Sequence, residues 1–319
     1  MNSYLNAGNS VILEARELCK DYANQRVVSG IDACVARGEI VGLLGTNGAG
    51  KSTTLQMLAG ICAPTSGEVR IEGQDLYRGS RRVLAAVGYL PDVPPLYPEL
   101  TVDEFLRHAA ALRGVPRAAM AERVANAKRQ FDLSQVGRQV IGKLSRGFQQ
   151  RVGLAQALIH QPRVVILDEP TLGLDPLQTA VMRRCILALR AQAAIIISSH
   201  LLADVQALCS RVMILQDGRL AYGGKVPAAI DAKGGRTRVV LRHAPALAVL
   251  RAAPGVSAVE QVDATTFDVS LSEDAQTPEQ FIAHAVASGW RLAELRREPP
   301  SLEETFAAII GRAQPEPAH

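Results

Sequence analysis

The sequence has little that would suit it to nucleic acid. Aromatic residues make up only 4% of the 319 residues, whereas binding of single-stranded nucleic acid relies on aromatic stacking platforms. The 35 lysines and arginines barely exceed the 31 acidic residues, which gives a net charge of +4. That excess is too small to indicate a polyanionic partner. We therefore expect no nucleic-acid partner.

Long hydrophobic runs and paired cysteines are also missing. No stretch reaches the ~18 apolar residues of a membrane-spanning helix, and the first residues lack the basic and apolar segments of a secretory signal. The five cysteines form no CxxC pair, which is typical of reduced thiols in the cytoplasm, and we expect most of them to be buried. The histidines do not cluster with them, so we expect no zinc site.

Short runs rich in Val and Ile alternate with helix-like segments up to about residue 225. Near-continuous apolar strands between helices favour a parallel sheet covered by helices on both faces. The predicted strands of this sheet are residues 39–44, 164–169, 193–199 and 211–218. The four prolines within 91–98 predict a stiff surface loop, and Thr101 with Glu104 forms a capping box that begins the next helix.

The pattern changes after a polar, Gly-containing segment at 231–238, which we interpret as a linker. The order βαββαβ then predicts a small ferredoxin-like α+β domain over residues 236–312, with Ser301 capping its last helix. This domain carries no catalytic constellation. It is typical of a packing or dimerisation module, and a ligand-sensing role stays open.

A glycine-rich loop at 45–52, GTNGAGKS, fits G-x-x-x-x-G-K-[ST] between a strand-like and a helix-like run. Its glycines let successive backbone N–H groups point at phosphate oxygens, next to a positive helix N-terminus. We expect Lys51 to reach the β- and γ-phosphates and the Ser52 hydroxyl to bind Mg²⁺. The predicted nucleotide-binding residues here are Gly45, Thr46, Asn47, Gly48, Ala49, Gly50, Lys51, Ser52 and Thr53.

Two carboxylates end the apolar strand VVILDEP at 164–170. In open α/β sheets, ligands bind at the carboxyl ends of the parallel strands. Asp168 is therefore predicted to hold Mg²⁺, and Glu169 to orient or deprotonate an attacking water.

Further segments complete a recognisable set. They are LSRGFQQR at 144–151, GLDP at 173–176, His200 after AAIIISS, and Tyr22 in CKDYANQRVV. With the two motifs above, they resemble in order and spacing the signature motif, D-loop, switch histidine and adenine-stacking aromatic of ABC ATPases. The resemblance covers about residues 11–225. Segments 87–106 and 142–162 look most like the bacterial drug-export and gliding-motility branch.

The resemblance implies an α/β, ABC-type P-loop ATPase core over residues 1–230, with a helical subdomain at about 98–160. It implies ATP and Mg²⁺ as cofactors, and a homodimer that closes around Mg-ATP to drive an ABC-2 type membrane permease. Such a subunit is peripheral on the cytoplasmic face of the membrane, and this branch consists of exporters. Export and the permease follow from the resemblance alone.

The resemblance also assigns roles to single residues. Ser145 and Gly147 would close over the γ-phosphate held by a second copy, Asp175 would line the dimer seam, and Tyr22 would stack on adenine. His200 would hydrogen-bond the γ-phosphate and the Glu169 region. The predicted catalytic residues are thus Glu169, His200 and Lys51.

Three positions depart from the family pattern. Asp92 stands where the family commonly has Gln, so it is a candidate for nucleotide and Mg²⁺ binding, or the loop around it serves to transmit the nucleotide state. Arg146 replaces the first Gly of the signature and either contacts phosphate or faces solvent. Thr46 replaces a more usual Pro, which a loop tolerates.

The sequence leaves two other functions open. One is a soluble ABC ATPase acting on ribosomes or DNA, although such proteins commonly carry two cassettes or long inserted arms. The other is a non-hydrolysing regulatory subunit, which the presence of Glu169 and His200 disfavours and which Asp92 keeps open.

Overall fold

The computed structural model describes residues 11–23, 25–226, 236–271 and 278–298. The chain divides into two compact units between Val226 and Pro227. Of the predicted linker, only Arg236–Arg238 is described, and these residues already belong to a strand of the second unit. That part of the linker prediction was wrong, and its other residues lie outside the described part.

The first unit is built from alternating strands and helices. Its strands are Val11–Tyr22 (β1), Gln25–Ala36 (β2), Ile40–Gly45 (β3), Ser66–Ile71 (β4), Gln74–Asp75 (β5), Val87–Leu90 (β6), Val164–Leu167 (β7), Ala194–Ser198 (β8), Arg211–Gln216 (β9) and Arg219–Lys225 (β10). Its α-helices are Lys51–Leu58 (α1), Arg81–Leu84 (α2), Val102–Leu112 (α3), Arg117–Gln130 (α4), Arg146–Leu158 (α5), Pro176–Leu189 (α6) and Leu202–Leu208 (α7).

The central sheet has the order β10-β9-β3-β8-β7-β6. Its strands from β9 to β6 are parallel, and β10 pairs antiparallel with β9. Because β3, β8 and β7 are neighbours, their carboxyl ends lie side by side at one edge. The predicted α/β fold with a parallel sheet is confirmed, and this edge positions the functional loops.

Both faces of this sheet are covered, as predicted, but not by helices alone. Val165 and Leu167 of β7 pack in a core that includes residues of helices α3 to α6. Val164 and Ile166, which alternate with them, pack in a second core with helix α1 and strands β1, β2 and β4. The latter strands belong to an antiparallel sheet of order β2-β1-β4-β5, which the sequence analysis did not predict.

The helical segment expected at about 98–160 contains α3, α4 and α5, and two short 3-10 turns lie between α4 and α5. The capping box is confirmed: Thr101 accepts a hydrogen bond from the Glu104 backbone, and the Glu104 carboxylate accepts one from the Thr101 backbone. The proline-rich loop 91–98 contains neither helix nor strand, also as predicted.

The second unit follows the predicted order βαββαβ. Its elements are Arg236–Leu241 (β11), Leu247–Arg251 (α8), Val256–Gln261 (β12), Thr266–Leu271 (β13), Pro278–Ala287 (α9) and Leu292–Glu298 (β14). The antiparallel sheet order β12-β13-β11-β14 is that of the ferredoxin-like fold, with Phe267, Phe281 and Trp290 in its core. The final helix predicted from Ser301 lies outside the described residues.

The cysteines are free thiols, but only Cys185 is buried and the other four are partly exposed. The expectation that most are buried was therefore wrong. Within the described ranges, no helix combines the length and hydropathy needed to cross a membrane.

Candidate nucleotide-binding site

The glycine-rich loop connects β3, which ends at Gly45, with α1, which begins at Lys51. Gly50 has a φ of 93° and caps the helix, and a Cβ there would lie 2.9 Å from the Val27 carbonyl oxygen, so only glycine fits. Lys51 Nζ donates hydrogen bonds to the carbonyl oxygens of Gly45, at 2.9 Å, and Thr46, at 3.1 Å. The ammonium group is thus held across the loop beside the helix N-terminus.

A cavity of about 520 Å³ opens above this loop, a volume within the range of small-ligand sites. It collects residues from the loop, from the end of β7 and from the end of β8. Its lining is Val27, Asn47, Gly48, Gly50, Lys51, Ser52, Thr53, Asp168, Glu169, Leu172 and His200. The structure therefore brings together the predicted loop, both carboxylates and the predicted switch histidine.

Asp168 is held by a serine that the sequence analysis missed. The Ser198 hydroxyl donates to Asp168 Oδ1 at 2.6 Å and accepts the Glu169 backbone N–H at 2.9 Å. Ser198 is fully buried and Asp168 is only 4% exposed. The sequence offered only a weak signal, a serine within the apolar run 193–199, where a hydroxyl that becomes buried needs partners.

Glu169 and His200 are in direct contact in the lining of the cavity. The two side chains meet at 2.7 Å between Glu169 Oε2 and His200 Nδ1, and the His200 backbone N–H lies 3.3 Å from the same oxygen. Glu169 has a φ of 46°, in the left-handed region that side chains rarely adopt. Strained backbone of this kind clusters at functional sites.

Tyr22 does not itself line this cavity, but it contacts Thr53, which does. It is 46% exposed, its hydroxyl is 3.4 Å from Cys62 Sγ, and Lys20 Nζ lies 5.1 Å from its ring centroid. The Cys62 hydrogen bond raises the pKa of the Tyr22 hydroxyl, and the Thr53 side chain opposes that shift. Tyr22 is therefore next to the loop through Thr53, with much of its side chain accessible.

The signature and GLDP residues also lie outside the cavity. Ser145 and Asp175 are N-caps of α5 and α6, and accept the backbone N–H groups of Phe148 and Gln178 respectively. Gly147 is packed so closely on α6 that a Cβ there would lie 2.5 Å from Gln178 Oε1. The two helix N-termini therefore form one contiguous surface.

The exposure of Arg146 agrees with the alternative in which it faces solvent, and its contact with phosphate stays a prediction. Its guanidinium is at an exposed position, yet it lies against Gly173 of GLDP, where a Cβ would be 2.7 Å from its nearest nitrogen. Arg146 thus links the signature segment to GLDP within one chain.

Asp92 is exposed and is not among the residues lining the cavity. Its Oδ1 accepts the Val93 backbone N–H at 2.8 Å, and its carbonyl oxygen lies 3.4 Å from Gln150 Nε2. In this arrangement the carboxylate caps its own loop.

Comparison with known proteins decides the family. The sequence model described as ABC transporter matches residues 28–172. The chain is 30% identical over 299 residues to the uncharacterized ABC transporter ATP-binding protein YxlF of Bacillus subtilis, covering 94% of this chain and 99% of that protein. The chain belongs to the ABC transporter family. It is an ATP-binding subunit of that family and an ATPase.

Other relatives agree. The bacitracin transport ATP-binding protein BcrA of Bacillus licheniformis is 38% identical, over 66% of this chain and 69% of that protein. A solved structure of an ATP-binding subunit of an ABC transporter has a TM-score of 0.62 and 35% identity, covering 68% of this chain and 91% of that chain. A dimeric ATP-binding cassette with ADP and Pi, at 22% identity and a TM-score of 0.61, covers 67% of this chain and 98% of that one and shares the fold.

Proposed function

We propose that this subunit hydrolyses ATP in the cavity above the glycine-rich loop and, as a dimer, drives a membrane permease. The observation that carries the proposal is that Lys51, Ser52, Asp168, Glu169 and His200 line one cavity. These groups come from three separate chain segments. Phosphoryl transfer to water requires groups that bind the phosphates, groups that bind the metal ion and a group that orients the attacking water, and this set supplies all three.

Some of these residues bind the nucleotide and others take part in the hydrolysis step. Lys51 and the backbone N–H groups of the loop hold the β- and γ-phosphates, and the exposed face of Tyr22 receives the adenine. Water attacks the γ-phosphorus, the bond to the β,γ-bridging oxygen breaks, and ADP leaves with that oxygen. Glu169 accepts the proton of the attacking water, and His200 orients Glu169 and donates to the γ-phosphate.

The donor set of the cavity fits Mg²⁺. Ser52 offers a hydroxyl at an exposed position, and Asp168 offers a carboxylate whose Oδ1 is fixed by Ser198. Oxygen donors of this kind are the ligands that Mg²⁺ prefers. When bound there, the ion would neutralise charge on the phosphates. Asp92 does not line the cavity, so it would join this set only after its loop moves toward the cavity.

A second copy is needed because the signature residues are not in the cavity of their own chain. Ser145 and Asp175 are exposed, and they sit at neighbouring helix N-termini that suit an anion. A homodimer related by a two-fold axis would place Ser145 and Gly147 of each copy over the γ-phosphate of the other. Nucleotide would then hold the pair closed and hydrolysis would open it.

A groove on the first unit is suited to a permease. It has a volume of about 410 Å³ and is lined by Ala59, Gly60, Ile61, Leu84, Val87, Tyr89, Pro91, Pro95, Arg113 and Gln156. Ile61 and Leu84 are 59% and 40% exposed, large apolar side chains left open on its rim. We propose that a cytoplasmic segment of an ABC-2 type permease packs here, which would place the subunit on the inner face of the membrane.

Export is the proposed direction. Relatives include the bacitracin transport protein BcrA and the linearmycin resistance ATP-binding protein LnrL of Bacillus subtilis, which is 28% identical over 94% of this chain. Their names describe transport of, or resistance to, antibiotics in those proteins. Export of an antibiotic is the function that these relatives favour here.

The proposal is tested by tagging the chain, solubilising membranes of its native cell in mild detergent and identifying what co-purifies. A stoichiometric multi-span membrane protein is the expected result. Recovery with ribosomal or DNA-bound proteins, and with no membrane protein, would contradict the permease and leave an ABC ATPase with another task.

A further inference from the structure

A fully buried carboxylate lies behind the cavity rather than in it. Asp204, on α7, is 0% exposed. Its Oδ2 accepts a hydrogen bond from the Thr171 hydroxyl, and its Oδ1 accepts one from Arg183 Nε at 2.7 Å. The Ser199 hydroxyl lies 3.3 Å from Oδ2. A buried charge is retained only with such compensation, since an uncompensated one is costly.

The donors come from three segments that carry proposed functional residues. Thr171 follows Glu169 by two positions, and Ser199 directly precedes His200. Arg183 lies on α6, the helix that Asp175 caps. Asp204 therefore connects the turn after β7, the loop after β8 and the helix that begins at the proposed dimer seam.

We propose that Asp204 is a positioning residue for ATP hydrolysis, acting through Glu169, His200 and the start of α6. This inference rests on the catalytic roles proposed above. Without the carboxylate, Thr171 and Ser199 lose their common acceptor, and Arg183, which is 28% exposed, is free to turn outward. The segments that carry Glu169 and His200 then both lose a hydrogen bond that helps to fix them.

Among the described residues, Asp204 makes its hydrogen bonds and ion pair with Thr171, Arg183 and Ser199 and none with the glycine-rich loop. A change at Asp204 should therefore affect the chemical step and leave ATP binding intact. Misplacement of reacting groups by about 1 Å costs on the order of 100-fold in rate. The expected effect of Asp204→Asn is therefore a fall in kcat of about 10- to 100-fold, with ATP affinity unchanged. The amide would turn a donor toward Thr171 or Arg183, which are themselves donors.

The test measures kcat, KM, the melting temperature and the number of ATP sites per chain in Asp204→Asn. A matched control is Glu39→Gln, which breaks the partly buried pair of Glu39 with Arg211 at the opposite end of β3 from the glycine-rich loop. A gentler variant, Thr171→Val, removes one donor and keeps the side-chain volume, so it remains informative if Asp204→Asn does not fold.

The inference predicts that Asp204→Asn and Thr171→Val lower kcat per ATP site, with KM and site number kept, and that Glu39→Gln does not. Turnover per site equal to wild type in both variants would overturn it. So would a fall that Glu39→Gln reproduces at the same loss of melting temperature. Glu169→Gln is measured in parallel, because its normal turnover would instead overturn the proposed catalytic roles.

Discussion

His200 Nδ1 lies 2.7 Å from Glu169 Oε2, although 31 positions separate the two residues in the chain. The contact exists because β7 and β8 are adjacent parallel strands, so their carboxyl ends meet at the same sheet edge. It joins Glu169, the proposed general base, to His200, the proposed hydrogen-bond donor to the γ-phosphate. A network of this kind fixes the geometry of a reacting group before substrate arrives.

Replacing His200 by Ala should lower ATP turnover about 100-fold, because a positioned donor of this kind contributes that much to transition-state stabilisation. Phosphate release at saturating ATP measures the effect. His108→Ala is the control, since His108 is exposed and packs on Tyr97 with centroids 5.8 Å apart. Equal activity of the two variants would remove His200 from the reaction.

Ser198→Ala should weaken both the metal site and the fold. It deprives Asp168 of a donor and the Glu169 N–H of an acceptor, and an unsatisfied buried polar group costs about 1–3 kcal/mol. We expect a lower free energy of unfolding and a higher Mg²⁺ concentration for half-maximal turnover. An unchanged Mg²⁺ dependence would show that Ser198 does not orient Asp168 for metal binding.

The groove is tested by Ile61→Glu, which places a charge on its exposed apolar rim. Recovery of the permease with the tagged subunit should fall, while ATP turnover of the isolated subunit stays at the wild-type level. Val249→Glu, at a half-exposed position on α8, is the matched control. Loss of recovery in both variants, or in neither, would place the permease contact elsewhere.

His160 should make the subunit acid-sensitive. Burial, followed by the charge of Arg113, lowers its pKa from 6.5 to about 4, and its Nδ1 has no hydrogen-bond partner among the described residues. Below pH 6.5 the unfolded chain binds a proton that the folded chain does not, so stability falls as the pH falls toward 4. This part of the loss of unfolding free energy at low pH should be absent from His160→Gln.

Urea unfolding between pH 7 and pH 4.5 measures that difference. The wild type and His160→Gln should diverge as the pH decreases, with the wild type losing more free energy of unfolding. Parallel pH profiles for the two proteins would contradict the assignment of this sensitivity to His160.

Much of the site could be predicted from the sequence because its motifs are local. The glycine-rich loop, the strand ending in Asp168 and the strand ending at His200 are each continuous in the chain. Their convergence follows from a parallel sheet, in which carboxyl ends share one edge. The Val- and Ile-rich runs between helix-like segments likewise predicted the parallel sheet that holds these motifs, and the Thr101 capping box predicted the start of α3.

The missed features depend on contacts between distant segments. The antiparallel sheet escaped prediction because β1 and β2 are interrupted by irregularities in register, so their burial does not alternate cleanly. Ser198 and Asp204 carry no motif, and their importance appears only when β8, α6 and α7 are packed together. The contact of Arg146 with Gly173 likewise depends on how the two segments pack and carries no sequence signal.

The central claim, a dimer closed by ATP, is tested most directly by light scattering of Glu169→Gln with and without Mg-ATP. This variant should bind ATP without hydrolysing it, so the 34.1 kDa chain should shift to twice its mass only when nucleotide is present. Adding Lys51→Ala should abolish the shift. A monomer under all conditions, with ATP shown to be bound, would contradict the account.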